Sequence, residues 1–139
     1  MTEVKKGDKG CFIDSNIWLY AFIEPPDKSF IAKSFIKGAD ITISTQVINE
    51  VCVNLVKKAH YPEAKIRNLI ESFYNKYSVL EINREILLKA SDIRKHHNFS
   101  FWDSLILASA LLGGCGILYS EDMQADFVME ETRIINPFK

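Results

Sequence analysis

Four acids in this 139-residue chain stand where they could do chemistry: Asp14, Glu50, Asp103 and Asp122. Asp14 follows the short apolar run Cys11-Phe12-Ile13, and Asp122 comes just past Ile117-Leu118-Tyr119. Glu50 and Asp103 fall in the first turns of predicted helices. Strand ends of one sense meet at one edge of a parallel sheet, and helices that follow strands begin there. Like carboxylates gathered at such an edge raise each other's pKa or take a cation between them. An all-oxygen set with no nearby His or Cys suits Mg²⁺ or Mn²⁺ better than zinc. Such an ion keeps several waters, and one of them can attack phosphorus while the metal charge stabilises the transition state. The chemistry implied is phosphodiester hydrolysis.

Each acid also has a plainer role open to it. Ser100-x-x-Asp103 approximates a capping box. Glu50 could be a solvated helix acid, the commoner fate of glutamate. Glu121-Asp122 could be a charged turn, and Asp14 with Asn16 an Asx-turn or helix cap. What weighs against four separate accidents is that all four fall at the same kind of position. Phe101-Trp102 adds to the case at Asp103, since a cap needs no such apolar company. Other reactive side chains are poorer candidates. His96 and His97 are adjacent and do not share a helix face, and His60 lies in a break, so all three read as surface residues. Trp18, Phe22, Phe30 and Phe35 are helically spaced aromatics that suit core or a partner surface. Lys57, Lys58, Arg67, Arg94 and Lys95 read as solvated faces, some able to steer a polyanion.

The elements that must position the acids alternate. Strands are predicted at Lys9-Gly10-Cys11-Phe12-Ile13, Ile41-Thr42-Ile43-Ser44, Tyr77-Ser78-Val79-Leu80, Ile117-Leu118-Tyr119 and Arg133-Ile134-Ile135. Between them run helices over Ile17–Phe22 and over a segment that Asp27 caps and Gly38 ends. A longer one, capped by Ser44 or Thr45, carries Val47, Ile48, Val51, Cys52, Leu55 and Val56 on one face. Its polar side places Glu50 and Asn54 one turn apart, where both can face one site. Pro62 suits the first turn of the next helix. Another helix spans Ile82 to His97, and a nearly all-apolar one, Leu105 to Leu112, ends at Gly113-Gly114. This alternation predicts a mainly parallel sheet with helices on both faces. Residues 1–9 read as a loose tail on a single domain.

Composition narrows the function classes. The length suits one domain, and the net charge of −1 is unlike a basic nucleic-acid module, although it hides local patches. Cys11, Cys52 and Cys115 are far apart, with no zinc or CxxC spacing, and read as buried free thiols in a reducing cytosol. No apolar run approaches a membrane span and no signal core follows the lysine-bearing start. A soluble cytoplasmic protein is expected.

Four segments in order resemble the PIN-domain ribonucleases, and among them the VapC-type toxins of bacterial and archaeal toxin–antitoxin pairs. They are Phe12-Ile13-Asp14-Ser15-Asn16, Ser44-Thr45-Gln46-Val47-Ile48-Asn49-Glu50, Phe101-Trp102-Asp103-Ser104-Leu105-Ile106 and Tyr119-Ser120-Glu121-Asp122-Met123-Gln124. The ending Ile134-Ile135-Asn136-Pro137-Phe138 is similar to one branch of the family. The resemblance implies a three-layer α/β/α sandwich in which Asp14, Glu50, Asp103 and Asp122 surround Mg²⁺ or Mn²⁺. It implies support from Ser15 and Ser120, with Asn16 orienting Asp14 or reaching a metal-bound water. It further implies endonucleolytic cleavage of RNA, inhibition by a cognate antitoxin, and a homodimer. Gln124-Ala125-Asp126 departs from the Gln-His-Gly that often follows the Glu-Asp pair, which puts that loop's contacts in doubt. Two other functions compete. A phosphoaspartyl phosphatase or receiver-like domain also has an Asp after the first strand, but the phosphatase wants a second acid where Asn16 stands. A catalytically inactive PIN scaffold that binds RNA or protein would not need all four acids.

Overall fold

The sheet is built around two short strands buried along their whole length. In the computed structural model, which describes residues 10–23, 26–37 and 40–139, every residue of β1 (Cys11–Ile13) and β2 (Ile41–Ser44) is buried. Strands covered on both faces read as continuous apolar segments rather than alternating ones, as Cys11-Phe12-Ile13 does; in β2 the alternate residues Thr42 and Ser44 are buried as well. β3 (Ser78–Leu80), β4 (Ile117–Tyr119) and β6 (Thr132–Ile135) join them in parallel, while the short β5 (Val128–Met129) pairs antiparallel with β6.

The sheet order is β3-β2-β1-β4-β6-β5. The chain steps outward from β1 to β3, then returns to the other side of β1 for β4. Right-handed crossovers in opposite directions place their helices on opposite faces. Accordingly α1 (Ser15–Ile23), α2 (Pro26–Ile36), α3 (Thr45–Ala59) and α4 (Glu63–Lys76) form one packed layer. The other holds α5 (Arg84–His96) and α6 (Phe101–Leu112), packed on each other. This is the expected three-layer α/β/α arrangement. Phe12, Ile13, Ile17, Ile43, Leu118 and Ile134 are fully buried at its centre, each contributing roughly 1.5–3 kcal/mol of burial.

Helix starts follow their caps. The Ser44 hydroxyl accepts from the Val47 N–H and sets α3 one residue after β2. Ser100 does the same for α6, accepting from the Asp103 N–H at 3.0 Å. His60, in the left-handed region at φ 56°, closes α3 as the Tyr61 N–H reaches back to the Leu55 carbonyl. Several expectations shift. Asp27 lies inside the first turn of α2 rather than capping it. Pro62 is the N-cap of α4, one position before its first turn. α5 begins at Arg84 because the Asn83 side chain accepts from the Ile86 N–H, leaving Ile82 outside it. The strand foreseen at Arg133-Ile135 is the sixth, not the fifth. β5 is two residues long, too short for any periodicity, and its turn places Glu130 at φ 54° where a glycine or asparagine would have signalled a hairpin. Gly38 and the 1–9 tail lie outside the described residues.

Candidate active site

β1 and β4 are the neighbours at which the strand order reverses, the position where ligands bind at the carboxyl edge of open α/β sheets. The ladder continues one step past both strands. The Asp14 N–H donates to the Tyr119 carbonyl at 3.0 Å, and the Ser120 N–H donates to Ile135 at the same distance. Asp14 and Ser120 are thereby set side by side on that edge. Asp14 is 7% exposed. Its Oδ1 accepts from the Ser15 N–H at 2.7 Å and its Oδ2 from the Ser120 hydroxyl at 2.8 Å. Burial is the dominant influence and pushes its pKa from 3.8 up to about 6. The two donors work against that rise, and the nearby charges of Glu50 and Asp103 add to it.

Glu50 reaches the same place from α3. Its Oε1 accepts from the Ser15 hydroxyl at 2.7 Å and its Oε2 from the Trp102 indole N–H at 2.8 Å. One carboxylate thus ties α1, α3 and α6 together. Asp103 arrives by a different route from the one its sequence position suggests. It follows α5, not a strand, but α6 leads into β4 and so begins at the sheet edge where β4 ends. Burial raises the Asp103 pKa, the charges of Asp122 and Glu50 raise it further, and the Ser100 hydroxyl lowers it. The cap and the site therefore coexist: Ser100 starts the helix and its first turn presents the acid. Asp122, exposed at the mouth, accepts from Asn16 Nδ2 at 3.0 Å.

Asn16 hence orients Asp122 rather than Asp14, which Ser15 and Ser120 hold. The side-chain amide oxygen of Asn16 is shut off from solvent and has no hydrogen-bond partner among the described residues. A lone acceptor of this kind beside carboxylates asks for a donor or a cation. Among the described residues no group of three or more His, Cys, Asp and Glu side chains lies close enough to hold a metal ion ready-made. The donor set still fits Mg²⁺ or Mn²⁺. These ions take hard oxygen ligands, often only one or two carboxylates, with water and substrate phosphate filling the remaining positions. Asp14 is the best-placed anchor, with Asp103, Glu50, Asp122 and the Asn16 amide oxygen around it.

Some site residues were not singled out by sequence. Trp102 was read as apolar company for Asp103, yet it holds Glu50; an indole beside an acid in sequence gives no hint of a partner fifty residues away. Glu121 and Asp122 look alike as a pair but part in space. Glu121 turns away to bond with the Tyr20 hydroxyl and pairs with Lys28 at 3.2 Å, fixing the loop from which Asp122 projects. Asn54 does not join the site: its Nδ2 bends back to the Glu50 carbonyl at 2.9 Å. Two concavities lie elsewhere. One of about 410 Å³ runs between α3 and α4 beside Ile48, Cys52 and Ile66. Another of about 340 Å³ is flanked by Trp18, Phe22, Leu69 and Tyr77.

The PIN domain family model matches residues 11–128, and the chain belongs to that family. No curated protein sequence matches it. Among solved structures, a chain of a toxin–antitoxin complex from Klebsiella pneumoniae superposes with a TM-score of 0.72. At 19% identity that match covers 94% of this chain and 99% of the other. VapC20 of Mycobacterium tuberculosis, a sarcin-ricin loop cleaving toxin, gives 0.65 at 16% identity, covering 78% and 87%. FitAcB of Neisseria gonorrhoeae gives 0.64 at 13% identity, covering 92% and 98%. At such identities these matches carry the fold. No described helix is long and apolar enough to cross a membrane.

Proposed function

We propose that the protein is a Mg²⁺- or Mn²⁺-dependent RNA endonuclease, the toxin of a toxin–antitoxin pair. The observation that carries this reading is Asp14. It is a carboxylate buried at the sheet's switch point, raised to about 6, and electrostatically coupled to Glu50 and Asp103. Perturbed carboxylates with like charges beside them cluster at functional sites, and an all-oxygen set suits a hard cation. The bound ion supplies a water nucleophile at neutral pH and stabilises charge on phosphorus. The chain's own part is positional. Ser15 and Ser120 fix both oxygens of Asp14, Ser15 and Trp102 fix both oxygens of Glu50, and Asn16 fixes Asp122. Asp103 rides on a capped helix start. These constraints limit how far Asp14, Glu50 and Asp122 can reorient as charge moves.

The toxin assignment rests on relatives. The similar structures come from toxin–antitoxin complexes and from a toxin that cleaves RNA. An antitoxin partner follows by that likeness, and Phe22 and Phe30, 40% and 74% exposed, are residues it could cover. Trp18 belongs to the core, donating its indole N–H to the Ile13 carbonyl. A cytoplasmic homodimer is the matching state. Mapping RNA ends after brief expression in cells tests the activity: new ends that vanish in Asp103→Ala are expected, and identical ends in the variant would overturn it. The reading as an inactive scaffold has one observation in its favour: among the described residues no three His, Cys, Asp or Glu side chains lie close enough to hold a metal ion. Calorimetry with Mn²⁺ separates the two, since a dead scaffold shows no heat that Asp14→Ala removes. Phosphoaspartyl chemistry has little support, because Asn16, where a second acid is wanted, is engaged with Asp122.

A further inference from the structure

Two of the most exposed aromatic side chains are adjacent to the site. Phe101 is 76% exposed and Trp102 51%, both in the first turn of α6 immediately before Asp103. Neither is loose. The Trp102 ring is tethered through its indole N–H to Glu50. Phe101 carries the Arg94 guanidinium over its ring at 3.8 Å, and Arg94 is itself fixed by donating to the Ser104 hydroxyl at 2.7 Å. One face of Phe101 is occupied by a held cation and the other is open. Large aromatics kept at a surface against the pull of burial mark a binding surface.

We infer that Phe101 and Trp102, backed by Arg94, form a shelf on which an unpaired base of the RNA stacks next to the acid site; the substrate class rests on the nuclease reading above. Unstacked bases are taken on aromatic faces and guanidinium planes, with little regard to sequence, because every base has a π-face. Arg94 adds a fixed positive charge beside the backbone of that nucleotide. A duplex keeps its bases in the stack and offers none to the shelf. A second copy of this chain could also cover apolar rings. Here it would sit over Glu50 and Asp103 and close the mouth of the site, which favours the nucleotide as occupant.

The test uses the metal-free full chain and a fluorescein-labelled single-stranded oligoadenylate, read by anisotropy and by quenching of tryptophan emission. Of the two tryptophans, Trp18 is 2% exposed, so quenching reports Trp102. Phe101→Ala should weaken binding about tenfold or more, Phe101→Tyr should retain it, and the matching duplex should bind more weakly than the single strand. If Phe101→Ala binds as wild type does while wild type cleaves RNA, the shelf is overturned and the nuclease reading stands. If binding depends on Phe101 but wild type cleaves nothing, the shelf stands and the nuclease reading falls. No binding of single-stranded RNA overturns the shelf, and so does a Phe101→Ala protein whose sedimentation mass is halved, since a second copy then covers the rings.

Discussion

Cys11 opens β1 and Asp14 stands just past its end, with two residues between them, and burial has opposite consequences for the two. At the start of the strand, burial pushes the Cys11 thiol up to about 11, and Cys115 beside it likewise. Both are therefore neutral at pH 7 in the folded and the unfolded chain alike, and their burial is that of small apolar groups. At the far end, burial pushes Asp14 up to about 6. At pH 7 that carboxyl is charged in a place that disfavours charge. Burial raises the pKa at both ends, but only Asp14 is charged at pH 7 and bears the cost, as perturbed groups at functional sites often do.

The comparison can be broken most severely at Asp14. Asp14→Asn should lower RNA cleavage by roughly a thousandfold or more, since about 4 kcal/mol of metal-assisted stabilisation is at stake. The same variant should be more stable than wild type at pH 7.5 in chelator, by about 1–3 kcal/mol in urea unfolding. A variant that lost cleavage and stability together would mean that Asp14 supports the fold rather than burdening it. Next in size is the pH dependence of the wild type without metal. A carboxyl whose folded pKa exceeds its unfolded one binds more protons in the native state between the two values. Stability contributed by Asp14 is thus intact below about pH 4, falls as pH rises from about 4 to about 6, and stays low above. The shift from 3.8 to about 6 corresponds to a drop of order 3 kcal/mol. Denaturant midpoints across that range should fall in the wild type and stay flatter in Asp14→Asn. Millimolar Mn²⁺ should restore much of the loss at pH 7.5 by binding the native state alone.

Much of this was readable before any fold was known, and the reasons are local. Cys11-Phe12-Ile13 announces a central strand because a strand buried on both faces needs no alternation, and the β-branched Ile41-Thr42-Ile43 announces another. Ser44 and Ser100 announce helix starts because a hydroxyl there satisfies an otherwise orphaned N–H. Asp14, Glu50, Asp103 and Asp122 stood out by position, and the fold carries all four to one edge. What sequence could not supply is anything set by contact across the chain. Trp102 on Glu50, Asn16 on Asp122 rather than Asp14, and Glu121 on Tyr20 are pairings separated by 52 to 106 residues. Asn54 failed in the other direction: helical spacing put it near Glu50, but the Glu50 backbone carbonyl one turn back captured its side-chain amide. The β5–β6 hairpin was hidden because neither its two-residue strand nor its Glu130 turn uses the residues that usually mark one.

A smaller change sharpens the contrast at the acidic end. Ser120→Ala removes one of the two donors that hold Asp14 down, so its pKa should climb further. The fall in metal-free stability should then extend to higher pH than in wild type, with a stability change of about 1 kcal/mol at pH 7.5. An unmoved upper limit would mean that the hydroxyl serves only packing. The least effect is expected at the other end of the strand. Cys11→Ala should cost about 1 kcal/mol of packing, the ordinary penalty for trimming a small buried side chain, and leave RNA cleavage unchanged. Its stability difference from wild type should be constant from pH 4 to pH 8, because the Cys11 thiol releases its proton only near pH 11 when folded. The native thiols should also resist iodoacetamide at pH 8 until denaturant exposes them, since the thiolate is the nucleophile and burial withholds it. A thiol alkylated in the native protein would place a reactive group at the quiet end of β1. The two ends would then differ in degree, not in kind.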